Sequence, residues 1–406
     1  MSGRFAAFRH SSYRRYFGAR FLTAFAAQIL SVSIAWQMYD ETGRADLLGW
    51  IGLVQFLPAL LLVFITGLAA DRLGRRLVMG LAILVEMLCA GGILYMAFNA
   101  VFHPIWVLAV LGLFGCARAF FAPASSSLAV NLVPPEDFSN AAGFSALTWQ
   151  TASIIGPVAG GLLYGWNAKI AYCTSTVLFL VAAVLIFSIP KPEQARQSRV
   201  TTLSTVMGGF AYVWKQKVVL GAISLDLFAV LLGGAIALLP IYARDILHLD
   251  AGGLGLLRGA PGIGALIMIG LITAFPIRKH AGLILFVSVG MFGLTTAVFG
   301  LSTIAWLSIF MLILIGAFDM VSVYIREILL QLWTPDEVRG RVNAVNSIFL
   351  GASNELGEAR AGFMAAFFGP VFTVVAGGLA SVGVAALWSV MFSKIRRTQH
   401  LDRPED

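Results

Sequence analysis

Gly67-Leu68-Ala69-Ala70-Asp71-Arg72-Leu73-Gly74-Arg75-Arg76 closes one long apolar run, residues 47–70, and opens the next, 77–98. A helix needs about 20 mostly apolar residues to cross the hydrocarbon core of a bilayer, and each run supplies them. The charged segment is therefore a turn between two membrane spans, where glycine permits a tight reversal. A carboxylate beside three cations can form a charge network there and can sit at a helix N-terminus. Outward from this point the pattern recurs on both sides. Spans are expected at 17–39, 105–130, 140–165 and 169–189, then, beyond a polar stretch, at 218–243, 254–276, 282–301, 304–331, 342–367 and 371–393.

Composition demands the same reading. Of 406 residues 59% are apolar and 12% charged, whereas a soluble domain carries roughly 25% charged residues. No water-soluble fold has the volume to bury so much apolar surface. The net charge of +8 does not form a nucleic-acid-binding stripe, because the basic residues fall in short clusters between apolar runs. Taking the N-terminus as inside, the inner segments hold 21 Lys and Arg and the outer loops three, Arg44, Lys169 and Arg244. That asymmetry predicts cytoplasmic termini and a cytoplasmic (inner) membrane location. Arg4, Arg9, Arg14 and Arg15 alternate with Phe5, Phe8, Tyr13 and Tyr16, a pattern read as an uncleaved interfacial segment on an anionic leaflet. Cys89, Cys116 and Cys173 lie in apolar runs without CxxC spacing and read as core residues, while the five histidines fall outside the runs. Neither a metal nor a cofactor is expected.

The chain repeats. Leu22-Thr23-Ala24-Phe25-Ala26 returns as Leu225-Asp226-Leu227-Phe228-Ala229, and Tyr39 as Tyr242 at the same shift; Trp106, Pro135 and Asp137 meet Trp306, Pro335 and Glu337. Six spans is an even number, so both copies enter the membrane in one direction, as in transporters built of parallel halves. The expected fold is an all-α membrane protein of twelve transmembrane helices in two pseudo-symmetric six-helix bundles, 1–189 and 218–406, joined by a cytoplasmic linker, 190–217.

The charged turn resembles the signature of the major facilitator superfamily: Gly67, Asp71, Arg72, Gly74, Arg75 and Arg76 stand at its spacing. In that family the turn acts as a conformational switch. Span 5 resembles the family's antiporter motif through Gly143, Gly156, Pro157, Gly160 and Gly161, with Ala152 replacing one glycine. Four stretches resemble the branch holding the enterobactin exporter and the macrolide efflux pumps. They are 238–245 (LLPIYARD), 253–261 (GLGLLRGAP), 339–344 (RGRVNA) and 352–358 (ASNELGE). The resemblance implies proton-driven export of a small amphipathic molecule, a siderophore or drug, by a monomer in contact with lipid. Uptake, lipid flipping and a non-transporting sensor share the scaffold and remain alternatives. No GxxxxGK[ST] loop is present, and an enzyme is the poorest fit.

Charges within spans are costly and usually paired or wet. Asp226, Glu355 and Glu358 are the candidates for carrying a coupled proton, since they lie on spans expected to line the cavity. On span 11, Asn343, Ser347, Asn354 and Glu358 fall within an arc of about 60°. Arg118 with Ser125, and Asp319 with Ser322, are expected to face each other across a substrate cavity, together with Asn354. The bland alternative pairs each charge with a neighbour, Asp319 with Arg326. Arg258, Arg326 and Glu327 are expected to snorkel to the interface, Arg360 to make a packing contact between the halves, and Glu86 to be structural or lipid-facing as readily as functional.

Overall fold

The computed structural model describes residues 5–191 and 203–399, so the linker residues 192–202 and the tail beyond 399 lie outside the described residues. Among the described residues the regular structure is helical: α1 (Ser11–Thr42), α2 (Ala45–Leu73), α3 (Arg75–Phe98), α4 (Pro104–Val130), α5 (Phe138–Trp166), α6 (Ala168–Phe187), α7 (Leu203–Lys215), α8 (Lys217–Gly233), α9 (Leu239–Ile241), α10 (Ala251–Ala274), α11 (Ala281–Leu301), α12 (Ala305–Leu332), α13 (Asp336–Phe368), α14 (Pro370–Met391) and α15 (Ser393–Arg397). Among the described residues ten helices are long and apolar enough to cross a membrane. The expected spans 140–165 and 342–367 are α5 and α13. Both form, but they carry too many polar residues to stand among the ten.

The chain divides into two compact units. Unit 1 is Met1–Thr42, Val54–Thr201 and Leu249–Gly259; unit 2 is Gly43–Leu53, Thr202–His248 and Ala260–Asp406. In unit 1, α1 packs on α5 and α6, and α3 on α4 and α6. In unit 2, α8 packs on α13 and α14, and α11 on α12 and α14. The same pairing recurs element by element, as the weak sequence repeat implies.

Three local features depart from the sequence reading. Of the N-terminal aromatics, Tyr13 and Tyr16 belong to the core rather than to an interfacial face, while Phe5 stays exposed. Tyr13 and Tyr16 are fully buried, the Tyr13 hydroxyl donates to the Ala141 carbonyl at 2.9 Å, and the Phe8 ring meets Phe144 edge-on at 4.8 Å. Unit 1 gives these rings an apolar surface of its own. Next, the last part of the linker is helical. One face of α7 sets Val213 into an apolar cluster with Val219, Ile223, Leu330, Val342 and Val345, and the Tyr212 hydroxyl donates to the Trp333 carbonyl at 2.7 Å.

The third departure is span 7, which is broken. α8 stops at Gly233, and Ile236–Leu238 forms a 3-10 turn, followed by α9 and the π turn Tyr242–Ile246. A broken helix leaves carbonyls without intrahelical donors, and lipid offers none. Here Val230 O accepts the Gly234 N–H at 2.9 Å. Arg360 of α13 supplies the rest: its Nε donates to Leu231 O at 2.8 Å and its Nη2 to Leu232 O at 2.6 Å. Within unit 2, then, Arg360 closes a helix end.

Candidate functional site

In unit 2 the spacing of Asp319, Ser322 and Arg326 puts all three on one face of α12, Asp319 and Arg326 about 20° apart around the axis. The adjacent helix α8 presents Asp226, and Arg326 Nη1 lies 2.7 Å from Asp226 Oδ1, both side chains almost fully buried. The snorkelling expected of Arg326 is overturned. Its depth in the helix allowed an escape to the interface, but a carboxylate on α8 lies within reach and an apolar cluster surrounds the pair. Leu225, Ala229, Val321, Ile325 and Leu329 belong to that cluster. Removing one partner of such a pair typically costs about 3–5 kcal/mol, because the other charge is left stranded. Arg326 Nε also donates to Ser322 O at 3.3 Å, so its side chain folds back over the preceding turn towards Asp319. Asp226 and Arg326 are the two charges that act on the half-buried Asp319 carboxylate.

The polar stripe of expected span 11 lies on α13. Asn343, Ser347 and Asn354 are exposed, Glu355 and Glu358 half-buried, and Asn354 Nδ2 donates to the Leu350 carbonyl at 2.8 Å. The start of α2 runs along this helix within unit 2, where a Cβ added at Gly52 would lie 3.3 Å from Glu355 O and from Glu358 Cβ. Glu327, also read as a snorkelling residue, accepts from Asn346 Nδ2 at 3.3 Å.

In unit 1, Arg118 is exposed and is the charge that acts on Glu86, which is 1% exposed on α3. Glu86 is thus a core residue, not a lipid-facing one. Ser125 is buried beneath Tyr16, whose hydroxyl donates to Ser125 O at 2.9 Å and meets its Oγ at 3.2 Å, while Arg20 Nη1 donates to that hydroxyl at 2.9 Å. Arg258 does not snorkel; its Nη1 donates to Ser31 Oγ at 3.1 Å.

The charged turn is tighter than its sequence suggested. α2 stays helical through Leu73, Gly74 alone makes the reversal with φ +97°, and α3 begins at Arg75. Arg75 Nη1 donates to Ser127 O at 3.0 Å and to Asn131 Oδ1 at 2.7 Å, closing the end of α4. Arg76 Nη2 donates to Phe187 O at 2.8 Å at the end of α6, and Arg15 reaches Ser188 O beside it. Arg72 is exposed; the side chains at Gly67 and Asp71 lie outside the described residues. A Cβ at Gly74 would meet no atom within 4 Å, so Gly74→Ala costs backbone strain alone, about 1–3 kcal/mol. Its unfolding midpoint in detergent should fall below that of the wild type, with the α2–α3 junction showing faster amide exchange.

The motif on α5 is a packing surface. Cβ atoms at Gly156 and Gly160 would approach α1 at 2.6 Å from Gln28 Cβ and 2.9 Å from Ile29 Cα. One at Gly161 would strike Ala251 O and lie 3.0 Å from Gly255 Cα, while the Pro157 carbonyl faces Gly255. Gly143 has open space, so four of the five motif residues hold helices at close range.

Comparison with known proteins agrees with this architecture. The chain is 26% identical over 400 residues to the "Enterobactin exporter EntS" of Citrobacter koseri, covering 96% of this chain and 93% of that protein. It is 27% identical, with the same coverage, to that of Shigella boydii serotype 4. Its fold superposes on a crystal structure of the nucleoside transporter NupG with a TM-score of 0.76 and 12% identity, covering 94% and 100% of the two chains. The D-xylose-proton symporter gives 0.70 and 14%, covering 93% and 96%. The profile of the Major Facilitator Superfamily matches residues 16–326, and the chain belongs to that family of multi-pass membrane transporters.

Proposed function

We propose that the protein exports a small amphipathic molecule of siderophore or drug type in exchange for protons, as a monomer in the cytoplasmic membrane with both termini inside. The observation that carries this reading is the buried Asp226–Arg326 pair with Asp319 on the same face of α12. Charged groups are retained in membrane-spanning segments chiefly where they move ions or bind cargo. Among the candidate carboxylates Asp226 has first place, because its ion pair can be broken by a single proton. Glu355 and Glu358, on the partly open face of α13, form the second set. The likeness to the enterobactin exporters over 96% of the chain supports export and a siderophore-like cargo.

The test is accumulation of enterobactin, and separately of a macrolide, by inverted vesicles carrying the protein under an imposed pH gradient. Gradient-driven uptake into the vesicles is expected for the wild type. Asp226→Asn should reduce it at least tenfold while cargo counterflow persists. Uptake that ignores the pH gradient, or an undiminished Asp226→Asn protein, would refute proton antiport.

A further inference from the structure

The three charges on the facing sides of α8 and α12 do not balance. Asp226 and Arg326 neutralise one another across 2.7 Å. Asp319 makes no hydrogen bond or ion pair among the described residues, yet it lies two turns from Arg326 on the same face, inside a membrane-spanning helix. Arg326 is already folded back over Ser322, between the two. Helical side chains lean towards the N-terminus, so a modest swing carries its guanidinium from Asp226 towards Asp319.

Among the described residues of unit 2, Arg326 is the one cation that acts on Asp319. Of the elements packed on α12 within unit 2, α8 contributes Asp226 and, at its first residue, Lys217, while α11 and residues 260–274 of α10 contribute no charged or titratable side chain. Helix α13 carries Glu337, Arg341, Glu355 and Glu358, with Arg339 donating to Gln331 O and Thr334 O and Arg360 to Leu231 O and Leu232 O. On α12 itself the other such groups are Tyr324 and Glu327, and Glu327 accepts from Asn346. Two carboxylates therefore share one guanidinium beside an apolar cluster that includes Val321, Ile325 and Leu225. A surplus carboxylate in such surroundings is neutralised rather than left ionised.

We propose that Asp226, Arg326 and Asp319 form a one-proton site. Asp319 holds the proton while Arg326 pairs with Asp226. When Arg326 swings to Asp319, the Asp319 O–H bond breaks and the proton forms a new O–H bond on an Asp226 oxygen, directly or relayed by a water. Each resting state keeps one neutral carboxyl and one ion pair, so the proton moves without stranding a charge. This deepens the proton-antiport reading and rests on it for its purpose, but its test needs no cargo.

The test is infrared spectroscopy of the full-length protein in dodecyl maltoside at neutral pH, reading the carbonyl stretch of protonated carboxyl groups against the wild type. Asp319→Asn should lose the signal of one carboxyl. Asp226→Asn should also lose one, because Arg326 then pairs with Asp319 and holds it ionised. Arg326→Gln should gain one, since both carboxylates are then unpaired. A full-strength signal in Asp319→Asn or in Asp226→Asn would overturn the site. If Arg326→Gln does not fold, the two aspartate variants decide. Loss of the wild-type signal on adding sodium, with Asp319→Asn insensitive, would assign the surplus charge to a metal cation and overturn the proton site. The expected one-carboxyl pattern in a protein that ignores a pH gradient would refute antiport and leave the site standing.

Discussion

Arg360→Met is expected to destabilise the protein by about 2–6 kcal/mol, because two buried carbonyls each lose a charge-assisted donor worth about 1–3 kcal/mol. The guanidinium donates to Leu231 O, Leu232 O and, through Nη1 at 3.1 Å, to Met364 Sδ. Two of its three bonded nitrogens thus serve the end of α8, where a cation also complements the helix dipole. Methionine keeps the length and packing of the stem but no donor. Arg360→Lys retains the charge and can serve one carbonyl well, so its loss should be intermediate. Thermal unfolding in detergent, followed by the retention of a monodisperse peak, should rank wild type above Lys above Met. Hydrogen exchange should rise first across 230–246. Equal midpoints for all three proteins would show that the break closes without Arg360.

Gly316→Leu is expected to abolish the folded state of unit 2. Helices α10 and α12 touch backbone to backbone at this point. A Cβ on Gly316 would strike the Pro261 carbonyl and lie 2.6 Å from Pro261 Cα, and one on Gly264 would strike the Ile313 carbonyl. Overpacking a well-filled interior by a methylene or two typically costs about 1–3 kcal/mol. Here the obstacle is main chain, which cannot rotate aside, and leucine adds four carbons. Even Gly316→Ala must push the helices apart. Gly290→Ala is the control, since its Cβ would meet nothing within 4 Å. Expression followed by fluorescence-detected size exclusion should show the control unchanged, the alanine variant reduced and the leucine variant absent. A normal peak for Gly316→Leu would mean that the two helices are not held at this distance.

The helices were legible because lipid solvation writes itself into long apolar runs, and because the charged turn has a narrow spacing. The candidate site was half legible. Asp226, Asp319 and Ser322 were identifiable as polar residues in expensive positions, and the α13 stripe followed from its angular arrangement. What could not be read was partner choice. Whether Arg326 rises to the interface or turns to Asp226 depends on the rotation of α12 against α8, to which a single sequence is blind. The break after Gly233 was hidden for a similar reason. Glycine pairs are ordinary in membrane helices, and the donor that makes this break tolerable, Arg360, lies 128 residues from Leu232. The α7 helix was missed because the basic residues on either side of it gave the whole linker the look of a polar tether.

That docked helix moves the place at which the polypeptide can be divided. A gene split, an inserted tag or an engineered protease site within 203–215 would cut through Val213 and its apolar neighbours and part Tyr212 from the Trp333 carbonyl. The same insertion ahead of Leu203 leaves both contacts whole. In a two-piece version of this transporter the second polypeptide begins at Leu203 rather than at Lys217, and the removable connector is shorter than the polar stretch 190–217 by the length of one helix.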